Sequence, residues 1–382
     1  MTLRVLHTSD WHLGRTLHAE SLLDDQAWAL DRLLEVAKDE RPDVLVVAGD
    51  IYDRAVPPAE AVQLLDEVLT RLADVGLPAV ITAGNHDSAE RLSFASRLLA
   101  AKGLHLRGDL RRAAEPIEVP GKGCVYALPF VEPELVRALT GDEDVRGHAV
   151  ATERILAAAR ADAATRTLPT VLVGHAFVQG ASQTPDSERP IIVGTAGSVG
   201  AEVFAGFDYI ALGHLHAPQE VAPGLAYSGS LLQYSFAEAT HEKRVVMVEV
   251  DRGAVRSRAI PLGAKRGVAR IEGTLAELLE KPEFAPHKHD LLEVTLTDEG
   301  YVLDAKNRLQ ERFRHVLNVV RKELALGAVA SKFGAQVDGA GNDDAKLFGS
   351  FFETVTGTVA GPAHREVFAE ALSELDLKER VA

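Results

Sequence analysis

The sequence predicts a layered α/β domain, followed by a small α/β module and a helical tail. Short β-branched apolar runs alternate with segments of helical periodicity through the first half of the chain, a pattern typical of parallel strands joined by crossover helices. Five of these runs break abruptly into aspartate, asparagine or histidine. The length of 382 residues, with 46% hydrophobic and 25% charged side chains, fits a globular protein of two or three domains.

The strands and helices of the first half can be placed in order. LRVLHTSD predicts the first strand, and residues 26–40 predict a helix because apolar side chains recur there at helical spacing. DVLVVAGD predicts the second strand, a helix follows over residues 58–73, and LPAVITAGNHD, PTVLVGH and FDYIALGHLH predict three more strands. Because the carboxyl ends of strands line the ligand crevice of α/β sheets, we expect the polar residues after all five strands to converge.

The second half predicts the rest of this domain and two smaller units. GLAYSGS, KRVVMVEVD and VRSRAIPL predict a second sheet that completes the domain by about Gly263, so its expected span is residues 1–265. A helix (TLAELLEK), a strand (DLLEVTLTD) and a basic helical run from Asp304 to Glu323 predict a small α/β module over residues 266–338. DGAGNDD predicts a linker, and two short helices are expected in the C-terminal segment, residues 339–382.

The composition disfavours several classes of protein. Cys124 is the only cysteine, so neither an internal disulfide nor a thiolate zinc site is available, and a reducing cytoplasm is expected. Met1–Asp10 lacks the features of a signal peptide, and no apolar run approaches the roughly 20 residues that span a bilayer. We therefore expect a protein that is neither exported nor membrane-embedded. The net charge of −15 disfavours a free-standing nucleic-acid binder, because phosphates are held by Lys and Arg.

The polar residues that follow the five strands are of one chemical type. Carboxylates and neutral imidazoles are ligands for Mn²⁺, Fe²⁺ or Zn²⁺, and the lack of thiolates disfavours a closed structural zinc site. Seven candidate ligands are too many for one ion, whereas two ions about 3.5–4 Å apart need one bridging carboxylate and separate ligands on each side. Asp50 is the expected bridge. The candidate ligands are Asp10, His12, Asp50, Asn85, His175, His214 and His216.

Each of these residues also has a plainer interpretation. Glycine and asparagine are common turn formers, aspartates often cap helices, and histidines are often core or surface residues. His7, inside the first strand, is expected to be such a core histidine. The coincidence of five matched strand ends nevertheless favours a dinuclear metal site.

Five motifs resemble those of the calcineurin-like metallophosphoesterase superfamily: HTSDWHLGR, AGDIYDR, AGNHDS, VGH and GHLH. The resemblance implies a four-layer sandwich, in which two mixed β-sheets are flanked by helices, with a capping domain and a C-terminal helical segment. It also implies two Mn²⁺ ions per chain, with Mg²⁺, Fe²⁺ or Zn²⁺ as alternatives. One ion is then held by Asp10, His12, Asp50 and His216, and the other by Asp50, Asn85, His175 and His214.

The same resemblance implies roles for residues beside the metals. Hydroxide attacks phosphorus in line, and His86 is expected to point away from the metals and over the phosphate, where it stabilises the transition state or protonates the leaving oxygen. Asp87 is expected to orient this loop. Some archaeal relatives have a histidine where this chain has Asp53, so we expect Asp53 to orient a metal ligand instead of acting on the phosphodiester.

The wording of SDWHLG, the PP after the second motif and NHDS are similar to a bacterial DNA-nuclease branch of the superfamily. This similarity implies Mn²⁺-dependent cleavage of DNA in end processing, repair and recombination, as a 3′–5′ exonuclease on duplex ends and an endonuclease on hairpins or single strands. It further implies a homodimer bound to an SMC-like ATPase in a cytoplasmic, nucleoid-associated heterotetramer. Because this chain lacks GxxxxGK[ST], it is not expected to bind a nucleotide itself.

Two further groups of residues are candidates for contacts with partners. A basic stretch that includes Arg308, Arg312 and Arg314 predicts either a surface for the DNA backbone or a solvated helix face. An apolar face of the C-terminal helices predicts a docking site for the coiled coil of the ATPase, or packing onto the chain's own cap. That face comprises Leu347, Phe348, Phe351, Phe352 and Phe368.

Two other functions are compatible with the sequence. A phosphomonoesterase or a cyclic-nucleotide phosphodiesterase uses the same kind of metal site, and the acidic composition favours such a small substrate. The C-terminal units favour the nuclease, because a small-molecule phosphatase needs neither a cap nor a helical tail. A non-catalytic scaffold is the third hypothesis, and the complete set of candidate ligands together with His86 argues against it.

Overall fold

The chain folds as two units, Met1–Val268 and Ala269–Ala382. A computed structural model describes residues 1–185, 187–188, 197–298, 302–322, 344–356 and 358–379. Within these residues, every helix is too short or too polar to traverse a lipid bilayer.

The N-terminal unit alternates strands and helices, as the sequence predicts. Its strands are β1 (Leu3–Thr8), β2 (Thr16–Leu17), β3 (Glu20–Ser21), β4 (Val44–Ala48), β5 (Ala79–Thr82), β6 (Leu104–Arg107), β7 (Ile117–Val119), β8 (Gly123–Leu128), β9 (Thr170–His175), β10 (Tyr209–Gly213), β11 (Gln219–Ala222), β12 (Leu225–Tyr227), β13 (Arg244–Asp251) and β14 (Ala254–Pro261). Its helices are α1 (Leu23–Glu40), α2 (Ala59–Val75), α3 (Ala89–Leu92), α4 (Ser96–Ala100), α5 (Pro133–Thr140) and α6 (Gly147–Thr165). Short 3₁₀ helices span Leu110–Arg112, Ala201–Phe204 and Phe236–Glu238.

Six strands form the first large sheet, in the order β14-β13-β1-β4-β5-β6. The strands β1, β4, β5 and β6 are parallel, with Val5 opposite Val44 and Leu45 opposite Ala79. The strand β13 runs antiparallel to β1, and β14 runs antiparallel to β13. The parallel arrangement brings the carboxyl ends of β1, β4 and β5, and therefore the motifs that follow them, to one edge of the sheet.

The second large sheet also has six strands, in the order β11-β12-β10-β9-β8-β7. Its central strands are parallel, whereas β7 and β11 are antiparallel edge strands. The prediction that the strands after residue 224 share a second sheet is wrong, since β12 extends this sheet while β13 and β14 return to the first one. The reason lies in β1, whose backbone would form an unpaired edge next to the buried Leu3 and Val5 without β13.

The two sheets pack face to face around small and β-branched side chains. Val5 and Val46 of the first sheet meet Val125 and Val173 of the second, and all four are fully buried. On the outer face of the second sheet, Leu156 of α6 belongs to a separate apolar cluster. Helices α1 and α2 contact each other, and each buries one apolar stripe. The predicted fold of two mixed sheets flanked by helices is thus confirmed.

The C-terminal unit begins with a small α/β module. Its elements are β15 (Val268–Gly273), α7 (Leu275–Glu280), β16 (Leu291–Leu296), α8 (Ala305–Gln310) and β17 (His315–Arg321), with a 3₁₀ segment over Pro282–His289. The three strands form one sheet in the order β15-β16-β17. Thr274 and Glu277 cap the start of α7 reciprocally, and Leu278, Leu292 and Phe313 form part of a buried core.

The predicted basic helix from Asp304 to Glu323 is wrong in its second half. Helix α8 ends at Gln310, and His315–Arg321 form β17, which pairs in parallel with β16. Residues 316–320 include three valines, and β-branched side chains favour strands when a neighbouring strand is available. The pairing buries Val316, so tertiary packing overrides the helical spacing of the charged residues.

Two helices, α9 (Asp344–Thr356) and α10 (Pro362–Glu379), form the described end of the chain. The rings of Phe348 and Phe368 stack with centroids 4.1 Å apart, so they join the two helices. Phe351 is 50% exposed and Val367 is 66% exposed. Of the predicted linker DGAGNDD, Asp344 begins α9 and residues 338–343 lie outside the described residues.

Candidate metal centre

All seven predicted ligands lie at one edge of the sandwich, where the carboxyl ends of β1, β4, β5, β9 and β10 meet. The motif SDWH follows β1, AGD follows β4, GNHD follows β5, and the histidines of the last two motifs lie at the ends of β9 and β10. Six of the seven side chains are buried, and Asn85 is half-buried. The parallel topology of both sheets therefore brings together residues that are more than two hundred positions apart.

Four of the candidate ligands have left-handed backbone conformations: Asp10 (φ 52°), His12 (φ 45°), Asp50 (φ 51°) and His214 (φ 112°). Residues other than glycine adopt this region at a cost, and such strain is common at functional sites because the surrounding structure fixes it. Here the turns after β1 and β4 hold each other. The N–H of Asp10 donates to the carbonyl of Gly49 (3.1 Å), and that of His12 donates to the carbonyl of Asp50 (2.9 Å).

Two glycines in the motifs are required by the ligands themselves. A Cβ atom at Gly84 would lie 2.0 Å from Asp50 Oδ1, and one at Gly49 would lie 2.3 Å from His175 Nδ1. Gly49 also has a φ of 81°, which favours glycine. The glycines of AGD and AGN are therefore explained by the close approach of the backbone to these side chains.

Asp50 lies at the centre of the site. Its Oδ2 faces the Nε2 atoms of three imidazoles, His175 at 3.4 Å, His12 at 3.6 Å and His86 at 3.9 Å. Its Oδ1 accepts a hydrogen bond from the backbone N–H of His86 at 2.9 Å. Burial raises the pKa of Asp50, but the facing His175 and His12 outweigh it and hold this pKa well below its usual value. The carboxylate is therefore ionised, as a bridge between two cations requires.

The first group of candidate ligands is Asp10, His12 and His216, whose potential ligand atoms lie within 4.8 Å of one another. The Nε2 atoms of His12 and His216 approach to 3.1 Å. The Nδ1–H of His216 donates to Glu238 Oε1 at 2.9 Å, so its Nε2 presents a lone pair to the site. Burial lowers the pKa of His12 well below its usual value, which keeps its imidazole neutral. Neutral imidazole is the form that binds metals.

The second group surrounds Asn85. The Nδ1–H of His175 donates to the carbonyl of Ala48 at 2.9 Å, which turns its Nε2 toward Asn85 Oδ1, also at 2.9 Å. His214 Nδ1 lies 3.3 Å from the same oxygen. Burial lowers the pKa of His214 to about 3, so this imidazole is neutral.

The residues of this edge fit divalent cations. His175 Nε2 faces two acceptor oxygens, Asn85 Oδ1 and Asp50 Oδ2, so this position requires either a proton or a metal ion. Without a metal, burial opposes the charge, but Asp50 and Asp10 raise the pKa of His175 to about 9, so the proton is retained. Burial also opposes the charge of the Asp10 carboxylate, and for an acid this raises the pKa, here to about 6. Oxygen and imidazole ligands in this arrangement suit Mn²⁺, Fe²⁺ or Zn²⁺.

His86 lies beside these candidate ligands, so the expectation that it points away from the metals is wrong. Its Nδ1–H donates to the carbonyl of Asp53 at 2.7 Å, which turns Nε2 toward Asp50. The Asp53 carboxylate lies 3.6 Å from both His12 Nδ1 and Arg15 Nη1. Asp87 accepts hydrogen bonds from three backbone N–H groups of the loops after β4 and β5, so it orients these loops as expected.

Several residues of the site are missed by the sequence analysis. Glu238 is fully buried behind His216 and forms an ion pair with Lys243. The Glu188 carboxylate accepts a hydrogen bond from the backbone N–H of His216 at 3.0 Å. Gln26 of α1 donates to the carbonyl of His12 at 2.7 Å. No motif marks these residues, and only their burial distinguishes them from ordinary surface positions.

The structure places the predicted DNA-contacting residues in the C-terminal unit. Arg308 and Arg314 are exposed. The guanidinium of Arg312 instead donates to the carbonyls of Leu278 (2.8 Å) and Lys281 (2.7 Å), at the end of α7. Arg312 therefore has a structural partner, whereas the other two side chains project into solvent.

Comparison with solved structures finds distant likenesses. One solved structure matches 69% of this chain and 100% of its own, with a TM-score of 0.43 and 16% identity. The structure of TT1561 of Thermus thermophilus matches 68% of this chain and 99% of its own, with a TM-score of 0.39 and 12% identity.

Comparison with known sequences gives a closer relation. Residues 3–218 match the calcineurin-like phosphoesterase family, and residues 265–356 match the type 5 capsule protein repressor C-terminal domain. The chain is 32% identical over 357 residues to the D subunit of the SbcCD nuclease of Staphylococcus saprophyticus, a match that covers 93% of this chain and 94% of that relative. The chain is therefore a metal-dependent phosphodiesterase that belongs to the calcineurin-like phosphoesterase family and, within it, to the D subunits of SbcCD nucleases.

Proposed function

We propose that this chain is the DNA-cleaving subunit of an SbcCD-type complex and hydrolyses phosphodiester bonds with two divalent ions, Mn²⁺ in the cell. The observation that carries the proposal is the position of Asp50, whose Oδ2 faces three imidazole Nε2 atoms within 3.9 Å. The 32% sequence identity between this chain and the D subunit of an SbcCD nuclease supports DNA as the substrate.

Two sets of residues would hold the ions. Asp10, His12, Asp50 and His216 would form one position, and Asp50, Asn85, His175 and His214 the other. A pair of divalent ions supplies Lewis-acid polarisation of the phosphoryl oxygens and activation of water at neutral pH. In this arrangement Asp50 belongs to both positions, so its removal affects both ions at once.

His86 is the proposed proton donor. Its side chain is 11% exposed, whereas those of His12 and His175 are 1% and 0% exposed, so a substrate can reach the imidazole of His86 more readily. The Asp53 carbonyl holds Nδ1–H and leaves Nε2 as the reactive atom. A proton on Nε2 would stabilise negative charge on phosphorus and then pass to the leaving 3′ oxygen. Asp53 supports this role through its backbone and faces His12 through its carboxylate.

The proposed substrates are duplex ends, cleaved 3′ to 5′, and hairpins or single strands, cleaved internally, during DNA repair and recombination. Exposed Arg308 and Arg314 supply cationic groups for a phosphate backbone in a chain that is otherwise acidic. Bound divalent ions offset part of the negative charge locally, and the partner would supply further DNA-binding surface. Such a substrate places the protein in the cytoplasm with the nucleoid.

The proposed partner is the SMC-like ATPase SbcC, which docks on α9 and α10. Phe348 and Phe368 pack against each other, and the exposed side chains of Phe351 and Val367 add apolar area that would contact a coiled-coil surface. Leu347 and Phe352 are half-buried at the same helices. Deletion of residues 345–382 should abolish co-purification with the ATPase, and retention of the complex would refute this docking site.

We also propose that the chain forms a homodimer through an apolar surface beside α2. Phe94 is 81% exposed, Leu98 is 78% exposed and Val56 is 64% exposed. Val56, Val62 and Phe94 line one shallow groove. Exposed apolar groups so close together favour association with another protein surface. Phe94→Asp with Leu98→Asp should convert a dimer to a monomer in light scattering, and an unchanged mass would refute this surface.

The function is tested with purified protein, Mn²⁺ and three substrates: a labelled DNA hairpin, a linear duplex and bis-p-nitrophenyl phosphate. Asp50→Ala should lose all metal-dependent cleavage, and Asp66→Ala, an exposed aspartate of α2, should retain it. Hydrolysis of the small ester without DNA cleavage, even after addition of the ATPase subunit, would refute the nuclease and favour a phosphodiesterase of small substrates.

A further inference from the structure

Glu238 is a fully buried carboxylate directly behind one of the candidate ligands. Its Oε1 accepts the Nδ1–H of His216 at 2.9 Å and also a hydrogen bond from the Ser187 hydroxyl. Its Oε2 pairs with the Lys243 ammonium and lies 3.3 Å from Ser230 Oγ. The Ser230 hydroxyl has a closer acceptor in the carbonyl of Leu232 at 2.8 Å, so Glu238 has three donors, and one of them is a candidate metal ligand.

The Lys243 side chain also fixes His216, through a hydrogen bond to the backbone carbonyl of that histidine. The ammonium is 5% exposed and donates to the carbonyl of His216 at 3.0 Å and to Ser230 Oγ at 2.8 Å. The N–H of His216 donates in turn to Glu188 at 3.0 Å. The ring, the N–H and the carbonyl of His216 are thus all fixed by charged groups. Such complete fixation is more than the packing of a core histidine requires.

A carboxylate behind an imidazole changes that imidazole as a ligand. It accepts the Nδ1 proton, leaves the lone pair on Nε2 and raises the basicity of this nitrogen. His175, in the other group of ligands, instead donates its Nδ1–H to the neutral carbonyl of Ala48. The other imidazole of the first group, His12, also faces a carboxylate, with Asp53 at 3.6 Å from its Nδ1. The Nδ1–H of His216 is therefore accepted by a carboxylate, whereas that of His175 is accepted by a neutral carbonyl and has its nearest carboxylate, Asp10, at 3.9 Å.

We propose that Glu238 is a positioning residue which, through His216, gives the Asp10–His12–Asp50–His216 position the tighter hold on a divalent ion. This inference rests on the metal centre of the proposed function and adds an order of affinity between its two positions. The Lys243 ammonium balances the charge of Glu238, so the pair is tolerated in the absence of metal.

The test is calorimetric titration of the metal-free full chain with Mn²⁺, in parallel with electron paramagnetic resonance of the bound ions. The unsubstituted chain should show two binding events. Glu238→Gln, which keeps the shape but removes the charge, should weaken the tighter event by about 10–100-fold and leave the weaker one unchanged. Glu220→Gln on the exposed face of β11 is the matched control and should change neither event.

A second variant covers the case in which an unpaired Lys243 prevents folding. Glu238→Gln combined with Lys243→Met removes both charges and should again weaken only the tighter event, while thermal unfolding shows that the metal-free protein is folded. Equal weakening of both events, or no weakening in a folded variant, would overturn the inference. Absence of Mn²⁺ binding by the unsubstituted chain would instead refute the proposed function, and the inference would fall with it.

Discussion

The two edges of the N-terminal sandwich both hold carboxylates, half-buried Asp208 at one and buried Asp50 at the other, but balance their charge differently. At the amino edge, just before β10, Asp208 accepts hydrogen bonds from the N–H of Thr170 (2.8 Å), the N–H of Gly253 (2.9 Å) and the guanidinium of Arg252 (2.8 Å). At the carboxyl edge, Asp50 Oδ2 faces three imidazoles, at 3.4, 3.6 and 3.9 Å. Protein N–H groups and an arginine therefore neutralise Asp208, whereas Asp50 requires protons on the imidazoles or metal ions.

This difference separates stability from catalysis. Thr170 begins β9 in the second sheet, and Gly253 lies in the turn between β13 and β14 in the first, so Asp208 ties the two sheets together. Asp50 ties together only the turns that surround the metal positions. Sites that must bind charged ligands are commonly less than optimal for stability, since their polar groups await a partner. Substitutions at the two edges should therefore change different properties.

The largest effect is expected for Asp50→Ala. Loss of the shared carboxylate should remove at least about 4 kcal/mol of transition-state stabilisation, which corresponds to about 1,000-fold in the rate of phosphodiester hydrolysis. The metal-free variant should unfold at a temperature close to that of the unsubstituted protein, because His175, whose proton is held mainly by Asp50, becomes neutral and leaves no unpaired buried charge. Steady-state hydrolysis of bis-p-nitrophenyl phosphate and calorimetric unfolding measure the two properties. A variant that is inactive and also strongly destabilised would contradict the separation.

His86→Ala should have the next largest effect. Removal of a general acid slows turnover by about 10²–10⁴-fold, while Mn²⁺ affinity should change little because His86 belongs to neither set of four proposed ligands. The geometry makes this test sharp, since His86 Nε2 lies 3.9 Å from Asp50 Oδ2. The rate constant and the calorimetric Mn²⁺ affinity are measured on the same preparation. If both fall together, His86 is a metal ligand and the proposed proton transfer is wrong.

Addition of Mn²⁺ should stabilise the protein through the carboxyl edge alone. A ligand that binds only the folded state adds about 2.7 kcal/mol to the free energy of unfolding at 100 times its dissociation constant. Urea titrations with and without Mn²⁺ measure this increment, and EDTA should reverse it. The increment should be lost in Asp50→Ala and retained in Asp208→Asn. Its loss in Asp208→Asn would show that the two edges are coupled.

Asp208→Asn should lower the free energy of unfolding by about 2 kcal/mol. The amide NH₂ of asparagine would face one of the N–H groups that donate a hydrogen bond to the carboxylate, and that hydrogen bond would be lost. Hydrolysis at a temperature where the variant is folded should be unchanged. Urea unfolding and the rate of hydrolysis measure the two quantities, with Asp66→Asn on exposed α2 as the control. A large loss of activity in the folded variant would contradict the proposed division of roles.

The carboxyl edge could be predicted from the sequence because each ligand follows its own strand within a few residues. The signal is local: an apolar β-branched run predicts the strand, and the next polar residues must lie at its carboxyl end. The core position of His7 could be predicted in the same way, and its imidazole is indeed satisfied by Tyr209 (2.9 Å) and the carbonyl of Leu212 (3.2 Å).

The supporting residues could not be predicted, because their roles depend on contacts between distant parts of the chain. Glu238 and Lys243 lie in a polar stretch whose sequence is typical of a solvated loop. In the fold, Glu238 contacts His216 and Lys243 contacts Ser230. Asp208 resembles a helix cap or a turn residue in the sequence. The return of β13 to β1 is equally non-local, since Val248 pairs with Val5 across most of the domain.

The smallest expected effect, the pH dependence of Asp208, also distinguishes the edges. Burial alone would raise its pKa, but the N–H groups of Gly253 and Thr170 and the Arg252 guanidinium outweigh burial and lower it. A carboxyl group with a lowered pKa contributes stability above its unfolded value of about 3.9, and the contribution is lost as pH falls through the folded value. The difference in unfolding free energy between the unsubstituted protein and Asp208→Asn should therefore be constant from pH 8 to about 5 and shrink below about 4. A difference that persists undiminished to pH 3 would mean that the Asp208 carboxylate stabilises the fold by its shape and not by its charge, which would remove the electrostatic contrast between the two edges.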